Sequence, residues 1–194
     1  MEKKPVPHSQ EIELKLALPA ANSQALTRQL KKVPALANQK PRRQRLVNIY
    51  FDTPEQALRQ QQIALRVRQI ASTHGSAWLQ TLKTHGGGDS ALSQRGEWEV
   101  AIGSGELSLA ALDDTPWRDI DPDGTLFRAL APCFTTRFER TNWQVQGPTG
   151  SIVTVSLDIG EIEAGEHQAP ICELELELVA GDPAALFDLA QEIA

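Results

Sequence analysis

Short stretches in which charged and apolar residues strictly alternate constrain this chain more than any other feature. Glu11, Glu13 and Lys15 alternate with Ile12, Leu14 and Leu16. Arg66 and Arg68 alternate with Leu65 and Val67, and Arg95, Glu97 and Glu99 with Trp98 and Val100. Glu173, Glu175 and Glu177 alternate with Leu174, Leu176 and Leu178. Successive side chains on a strand point to opposite faces, so each stretch is a strand with one charged and one apolar face. Leu46–Asp52, Trp78–Lys83, Phe134–Val145 and Ser151–Ile159 add further strands, the last two as a hairpin through Gly147-Pro148-Thr149-Gly150. About eight strands with a few helices predict an antiparallel sheet, curled or closed.

The helices predicted between them are few. One runs from a cap at Asn22 or Ser23 to Val33, and Thr53-Pro54 opens a short one with Ala57 and Leu58. Pro183 starts a terminal one using Leu186, Leu189 and Ile193, and Gly103–Pro132 is irregular. Met1–Gln10, polar and with two prolines, is a flexible leader and not a secretory signal. Residues 11–194 then form a single domain, and a core of that size is within reach of 194 residues. No apolar run approaches the roughly 20 residues of a membrane helix, so no membrane partner and a cytoplasmic location are expected.

Charge narrows the partners. There are 19 Lys and Arg against 25 Asp and Glu, a net −6, which speaks against a surface that coats nucleic acid. The acid-free run Lys31, Lys32, Lys40, Arg42, Arg43 and Arg45 reads as a solvated linker. Cys133 and Cys172 lack metal-ligand spacing and read as reduced, partly buried thiols, and the four histidines, His8, His74, His85 and His167, fall in predicted loops or the leader.

The rows of charge pose the functional question. A wet face of an antiparallel sheet normally carries mixed polar residues. Here one face of the sheet collects Glu11, Glu13, Lys15, Arg66, Arg68, Lys83, Arg95, Glu97, Glu99, Asp158, Glu173, Glu175 and Glu177. That face is either a solvated exterior or the lining of a closed barrel. Neighbouring carboxylates on one strand face repel unless a cation lies between them. Carboxylate clusters suit hard divalent cations, and arginine forks and lysines suit phosphate oxygens. Both on one surface suit a metal-bound polyphosphate.

These residues also carry a resemblance. Glu11-Ile12-Glu13-Leu14-Lys15 resembles the E-x-E-x-K signature of the CYTH family, the triphosphate tunnel metalloenzymes. Tyr50-Phe51-Asp52-Thr53, Leu65-Arg66-Val67-Arg68, Leu82-Lys83, Arg95-Gly96-Glu97-Trp98-Glu99, Leu157-Asp158-Ile159-Gly160 and Glu173-Leu174-Glu175-Leu176-Glu177 resemble the later family motifs in order. The resemblance implies an α+β fold: a closed antiparallel eight-stranded β-barrel, a triphosphate tunnel, with flanking helices and the charges inside. It implies metal-dependent hydrolysis of inorganic triphosphate to pyrophosphate and phosphate, with Mg2+ or Mn2+. A class IV-type adenylate cyclase, another nucleotide or thiamine triphosphatase, or a non-catalytic polyphosphate-binding module are the alternatives. The Trp98 form looks most like bacterial inorganic triphosphatases, which often carry a helical CHAD domain after the barrel. The stop at Ala194 without a C-terminal helix signal fits a barrel taken from such a longer chain.

Roles follow from the same resemblance. Glu11, Glu13, Glu173 and Glu175 would hold metal, with Glu97, Glu99 and Asp158 as further ligands. Lys15, Arg66, Arg68, Lys83, Arg95 and Arg140 would bind phosphate oxygens, and Glu11, Glu13, Lys15, Lys83 and Asp158 would take part in the chemistry. Glu177 is expected to be peripheral, Arg137 lies on the parity opposite to Arg140, and Tyr50 and Asp52 read as structural.

Overall fold

A computed structural model describes residues 9–18, 23–72, 75–84, 92–147 and 150–193. Its frame is eight strands: β1 (Ser9–Ala17), β2 (Arg42–Asp52), β3 (Ala64–Ser72), β4 (Gly75–Thr84), β5 (Leu92–Ile102), β6 (Ala131–Gln146), β7 (Ile152–Ala164) and β8 (His167–Ala180). The expected eight-stranded antiparallel sheet with flanking helices is present. Its neighbours run β1-β5-β4-β3-β2-β6-β7-β8, and the pairing returns from β8 to β1. The ring is thin at that seam. β1 pairs with β5 along Ser9–Leu14 and with β8 along Glu13–Ala17, so only Glu13 and Leu14 have partners on both sides.

Period-2 patterning decides which face goes where. The apolar residues of the strands turn outward under helices, in two clusters. In one, Leu14, Trp143, Val155, Leu157, Leu174 and Leu176 pack against Leu30 of α1 (Ser23–Leu30), Leu36 of α2 (Pro34–Ala37) and Leu186 and Leu189 of α6 (Ala184–Ile193). In the other, Leu65, Leu82 and Trp98 meet Leu58 of α3 (Ala57–Gln60), Leu112, and Trp117 of α4 (Trp117–Ile120). The partly buried Leu126 and Phe127 of α5 (Thr125–Ala129) pack against this second cluster. The irregular middle segment thus has a purpose: it covers the outer face of β3, β4 and β5. Burying these faces is what lets the charged faces look at one another, since an uncovered leucine row would be drawn inward instead.

The structure corrects several expectations. The basic run is not all linker, because β2 begins at Arg42 and its Arg43 and Arg45 are exposed strand residues. Residues 160–170, expected as a gap between strands, are the ends of β7 and β8 joined by a two-residue turn. His167 is therefore an exposed strand residue and not a loop one, whereas His8, His74 and His85 lie outside the described residues. The first helix ends at Leu30, and α2 follows. α3 starts at Ala57, three residues after Pro54. Thr53 still accepts the Ala57 N–H at 3.1 Å, but Asp52 does more. Its carboxylate accepts the N–H groups of Thr53, Leu58 and Arg59 at 2.7, 2.9 and 3.1 Å, filling orphan donors at the helix start.

Gly160 marks a close approach of β7 to β6. A side chain there would lie 2.0 Å from the Arg137 carbonyl oxygen and 2.5 Å from Phe138 Cβ. Cys133 and Cys172 are free thiols, the first exposed and the second buried. Among the described residues no helix is long and apolar enough to cross a membrane.

Candidate functional site

The inner faces of the strands enclose one cavity of about 550 Å³. Glu11, Glu13, Lys15, Arg66, Arg68, Lys83, Glu97, Glu99, Arg140, Asp158, Glu173 and Glu175, all singled out from the sequence, line it. The Arg95 side chain lies outside the described residues; its backbone is paired with Glu11. Arg137 turns outward to Glu163 at 3.1 Å, as its parity requires. Glu177, expected at the periphery, lines the cavity as well.

Two walls face each other. On one, β1 and β8 run side by side, and the register sets Glu13 opposite Glu177 and Lys15 opposite Glu175. Lys15 binds Glu175 at 2.6 Å and Glu173 at 3.4 Å. Burial alone would lower the Lys15 ammonium, but the two glutamates hold it well above its ordinary range. Burial would raise Glu175, yet Arg140 and Lys15 outweigh it and keep the carboxyl at about 2. Arg140 completes this group: its Nε donates to Asp158 at 2.7 Å, and its Nη2 reaches both Asp158 and Glu175. The Asp158 carboxyl is nonetheless raised, first by burial and then by Glu175, despite Arg140.

A second paired group lies where β4 and β5 meet β1. Lys83 donates to Glu11 at 2.6 Å and lies 3.4 Å from Glu97. Glu11 and Glu97 are adjacent carboxylates that split their affinity for protons. Burial opposes ionisation of Glu11, but Lys83 brings it below its ordinary value, while burial and the Glu11 charge raise Glu97. Glu99 accepts the Thr81 hydroxyl at 3.1 Å.

The remaining charges are matched loosely or, at Glu13 and Arg68, by no ion pair among the described residues. Glu13, 9% exposed, makes no ion pair among the described residues. Burial and the charges of Glu11 and Glu175 raise its carboxyl. Glu177 is exposed on β8, and partial desolvation with the charges of Glu11 and Glu13 raises its carboxyl. On the opposite wall, Arg68 has no carboxylate within ion-pair reach among the described residues, and burial together with Arg66 and Arg140 lowers it to about 10. The nearest partners of Arg66 are the Tyr50 hydroxyl at 3.5 Å and Glu97 at 3.6 Å, and its buried Nε has none. A cation is wanted at Glu13 and an anion at Arg68.

Hard oxygen donors in this number fit a divalent cation in kind. Among the described residues no three of them converge on a point that could hold an ion as they stand. Glu175 and Glu11 are occupied by Arg140, Lys15 and Lys83, so an ion competes with these internal cations.

Neutral residues of the site went unread in the sequence. Asn48, Thr136, Phe134 and Phe138 line the cavity, as does Tyr50, which the sequence suggested was structural. Tyr50 stacks on Phe134 with 4.4 Å between centroids, and the Arg140 guanidinium lies over the Phe138 ring. The signal was parity: Asn48 and Tyr50 lie opposite Arg68 and Arg66 in the β2–β3 register.

The fold and site define a class: a curled antiparallel sheet that turns rows of arginine, lysine and glutamate into one cavity. The chain belongs to the CYTH family, whose domain matches residues 9–194. It is 35% identical over 185 residues to a protein named inorganic triphosphatase in Haemophilus influenzae, a match covering 95% of this chain and 49% of the relative. The chain thus spans about half the length of that relative. Among solved structures it resembles an adenylyl cyclase candidate from Hippeastrum, described as having a dominant triphosphatase activity (TM-score 0.58, 20% identity, 93% of this chain and 84% of that one). It also resembles a protein of Pyrococcus horikoshii (TM-score 0.56, 16% identity, 94% and 88%). These two likenesses are of fold.

Proposed function

We propose that the domain hydrolyses inorganic triphosphate to pyrophosphate and phosphate inside the cavity, in a metal-dependent reaction. The observation that carries this reading is the pair of opposite, unmet demands within one cavity: a buried carboxylate without an ion pair at Glu13 and a guanidinium without one at Arg68, among the described residues. A plain anion site gains nothing from rows of glutamate, and a plain cation site gains nothing from buried arginines. A metal-bound polyphosphate answers both. The name of the Haemophilus influenzae relative supports the same substrate.

In this reading the curled sheet works as a closed tunnel. Glu11, Glu13, Glu173 and Glu175, with Glu97, Glu99 and Asp158 nearby, are the oxygen donors for Mg2+ or Mn2+. When bound, the ion neutralises charge on the phosphate oxygens and acidifies water. The protein's own groups do the rest. Arg66, Arg68, Lys83, Arg95 and Arg140 take the phosphate oxygens, and Lys15 and Arg140 exchange Glu175 for substrate oxygens as it enters. Asp158 fixes the plane of the Arg140 fork through its contacts with Nε and Nη2. With the chain so held, water attacks the terminal phosphorus in line. A new P–O bond forms, the bridging P–O bond breaks toward pyrophosphate, and a cavity carboxylate accepts the proton released by the water.

A second reading has its own observation: Tyr50, Phe134, Phe138, Ile162 and Ile171 give the cavity an apolar, partly aromatic side. That side suits an organic group carried on the triphosphate, as in ATP or thiamine triphosphate. Phosphate release from inorganic triphosphate, ATP, thiamine triphosphate and pyrophosphate, each with Mg2+, Mn2+ or chelator, separates the readings. The expected result is fastest release from inorganic triphosphate and none with chelator. Faster release from an organic triphosphate selects the second reading, and binding without any turnover overturns both. Cyclic AMP formed from ATP together with pyrophosphate marks cyclisation.

A further inference from the structure

Arg68 carries a feature that its neighbours lack. Its Nε donates to Asn48 Oδ1 at 2.7 Å, and Asn48 Nδ2 donates to Thr136 Oγ1, also at 2.7 Å. Chemistry alone fixes the direction of this chain. A guanidinium has donors only, so the asparagine must offer its oxygen to Arg68 and its NH2 to the threonine hydroxyl. Asn48 is 1% exposed and Thr136 6%, so both side chains are buried in the sheet. The three residues come from three adjacent strands, with Arg68 and Thr136 opposite Asn48 on its two sides. The link is therefore set by the register of β3, β2 and β6.

The contrast with the other cavity arginines is chemical. Arg140 is held by Asp158 and Glu175, and Arg66 lies near Glu97. Arg68 alone of the three is held by a neutral amide. An amide fixes the fork without neutralising it, and by occupying Nε it leaves both Nη groups for an incoming ligand. A carboxylate at position 48 would fix the fork equally well and cancel the charge.

We propose that Asn48, anchored by Thr136, is a positioning residue that preorganises Arg68 as an uncompensated cation for a phosphate group of the substrate. This rests on the triphosphate reading of the cavity. The positional order of substitutions follows. N48A lets the fork turn; N48D keeps it fixed and neutralises it; Thr136→Val removes the anchor while preserving shape, and Thr136→Ser restores it.

The test uses the full chain and inorganic triphosphate in the presence of chelator, with Kd measured by calorimetry. N48A is expected to raise Kd about tenfold, the usual effect of losing a hydrogen bond to a charged group. N48D is expected to raise it further, and Thr136→Val to raise it in a way that Thr136→Ser reverses. In an R68A background N48A is expected to add nothing, because its effect passes through Arg68. A purely structural role would show as a fall in Tm with the same Kd penalty in both backgrounds, and that result overturns the proposal. So does an N48D protein that binds as well as wild type. A second readout stands apart from binding: the Arg68 Nε–H resonance of the ligand-free protein. It is expected to be sharp and slowly exchanging in wild type and to broaden in N48A. An unchanged resonance overturns the positioning role whatever the ligand. If the resonance responds as expected but wild type binds triphosphate neither with chelator nor with Mg2+, it is the proposed function, and with it the assigned ligand, that fails.

Discussion

The two walls of the cavity solve the same problem in opposite ways. On the β1–β8 wall, charge is mostly matched inside the protein: Lys15 and Arg140 share Glu175, and Asp158 takes the Arg140 fork. On the β2–β3 wall, charge is matched more loosely: Arg68 is held by an amide and Arg66 by the Tyr50 hydroxyl at 3.5 Å and Glu97 at 3.6 Å. A matched charge keeps the empty protein together; an unmatched one is available to a ligand. The difference shows that the same residue types do two jobs in one barrel, and that partner identity, not residue type, tells which. Glu13 and Glu177 are the exceptions on the matched wall, facing each other without a cation between them.

The largest expected effect comes from breaking the matched wall at its centre. Replacing Glu175 by Gln removes the acceptor shared by Lys15 and Arg140 and one oxygen donor for the ion. Metal-dependent turnover is expected to fall by a hundredfold or more, on the order seen when a preorganised charge contact is removed from an active site. Steady-state phosphate release checks it, with circular dichroism confirming the fold. Turnover within a few fold of wild type would show that the wall is merely structural.

Acid sharpens the comparison next. Glu175 sits at about 2, below its usual 4.5, so its stabilising contribution is full above pH 4.5 and fades as pH falls toward 2. Glu13 and Glu177 are shifted the other way, and protonating them relieves repulsion as pH drops through their raised values. Urea midpoints followed downward from pH 7 should therefore hold or rise at first, then fall steeply between about 4.5 and 2. In E175Q that late fall should be shallower.

The smallest effect concerns the exceptions. Substituting Glu177 by Gln removes a like charge directly opposite Glu13. It is expected to stabilise the metal-free protein by roughly 0.5 kcal/mol while reducing metal-dependent turnover. Thermal melts with chelator, set beside activity with metal, read both signs. A destabilised E177Q would mean that the pair already shares a proton or a cation.

Much of this was legible from the chain alone, because strand periodicity is strict and charge on a strand face is rare without a cause. Each charged row found from the sequence whose side chains are described lies on the inner face. What escaped was of two kinds. Asn48, Thr136 and the aromatic residues are neutral, and nothing in a neutral residue announces which neighbour it meets across a sheet. The β7–β8 extension escaped because Gly160 and Pro170 look like breakers. In the fold Gly160 lets two backbones approach, and Pro170 lies on the part of β8 beyond its pairing with β1, where a missing N–H is tolerated. The basic run looked like a linker because no acid or alternation marks the start of β2.

The thin seam at β1 also sets when the molecule can exist. The first strand must wait for β8, some 160 residues later in sequence, before it has a neighbour on that edge. On a ribosome, then, the hairpins of the middle can form as they emerge, but the enclosed chamber cannot. Until β8 arrives its arginines and glutamates stay hydrated, and ligand capture has to wait for that strand.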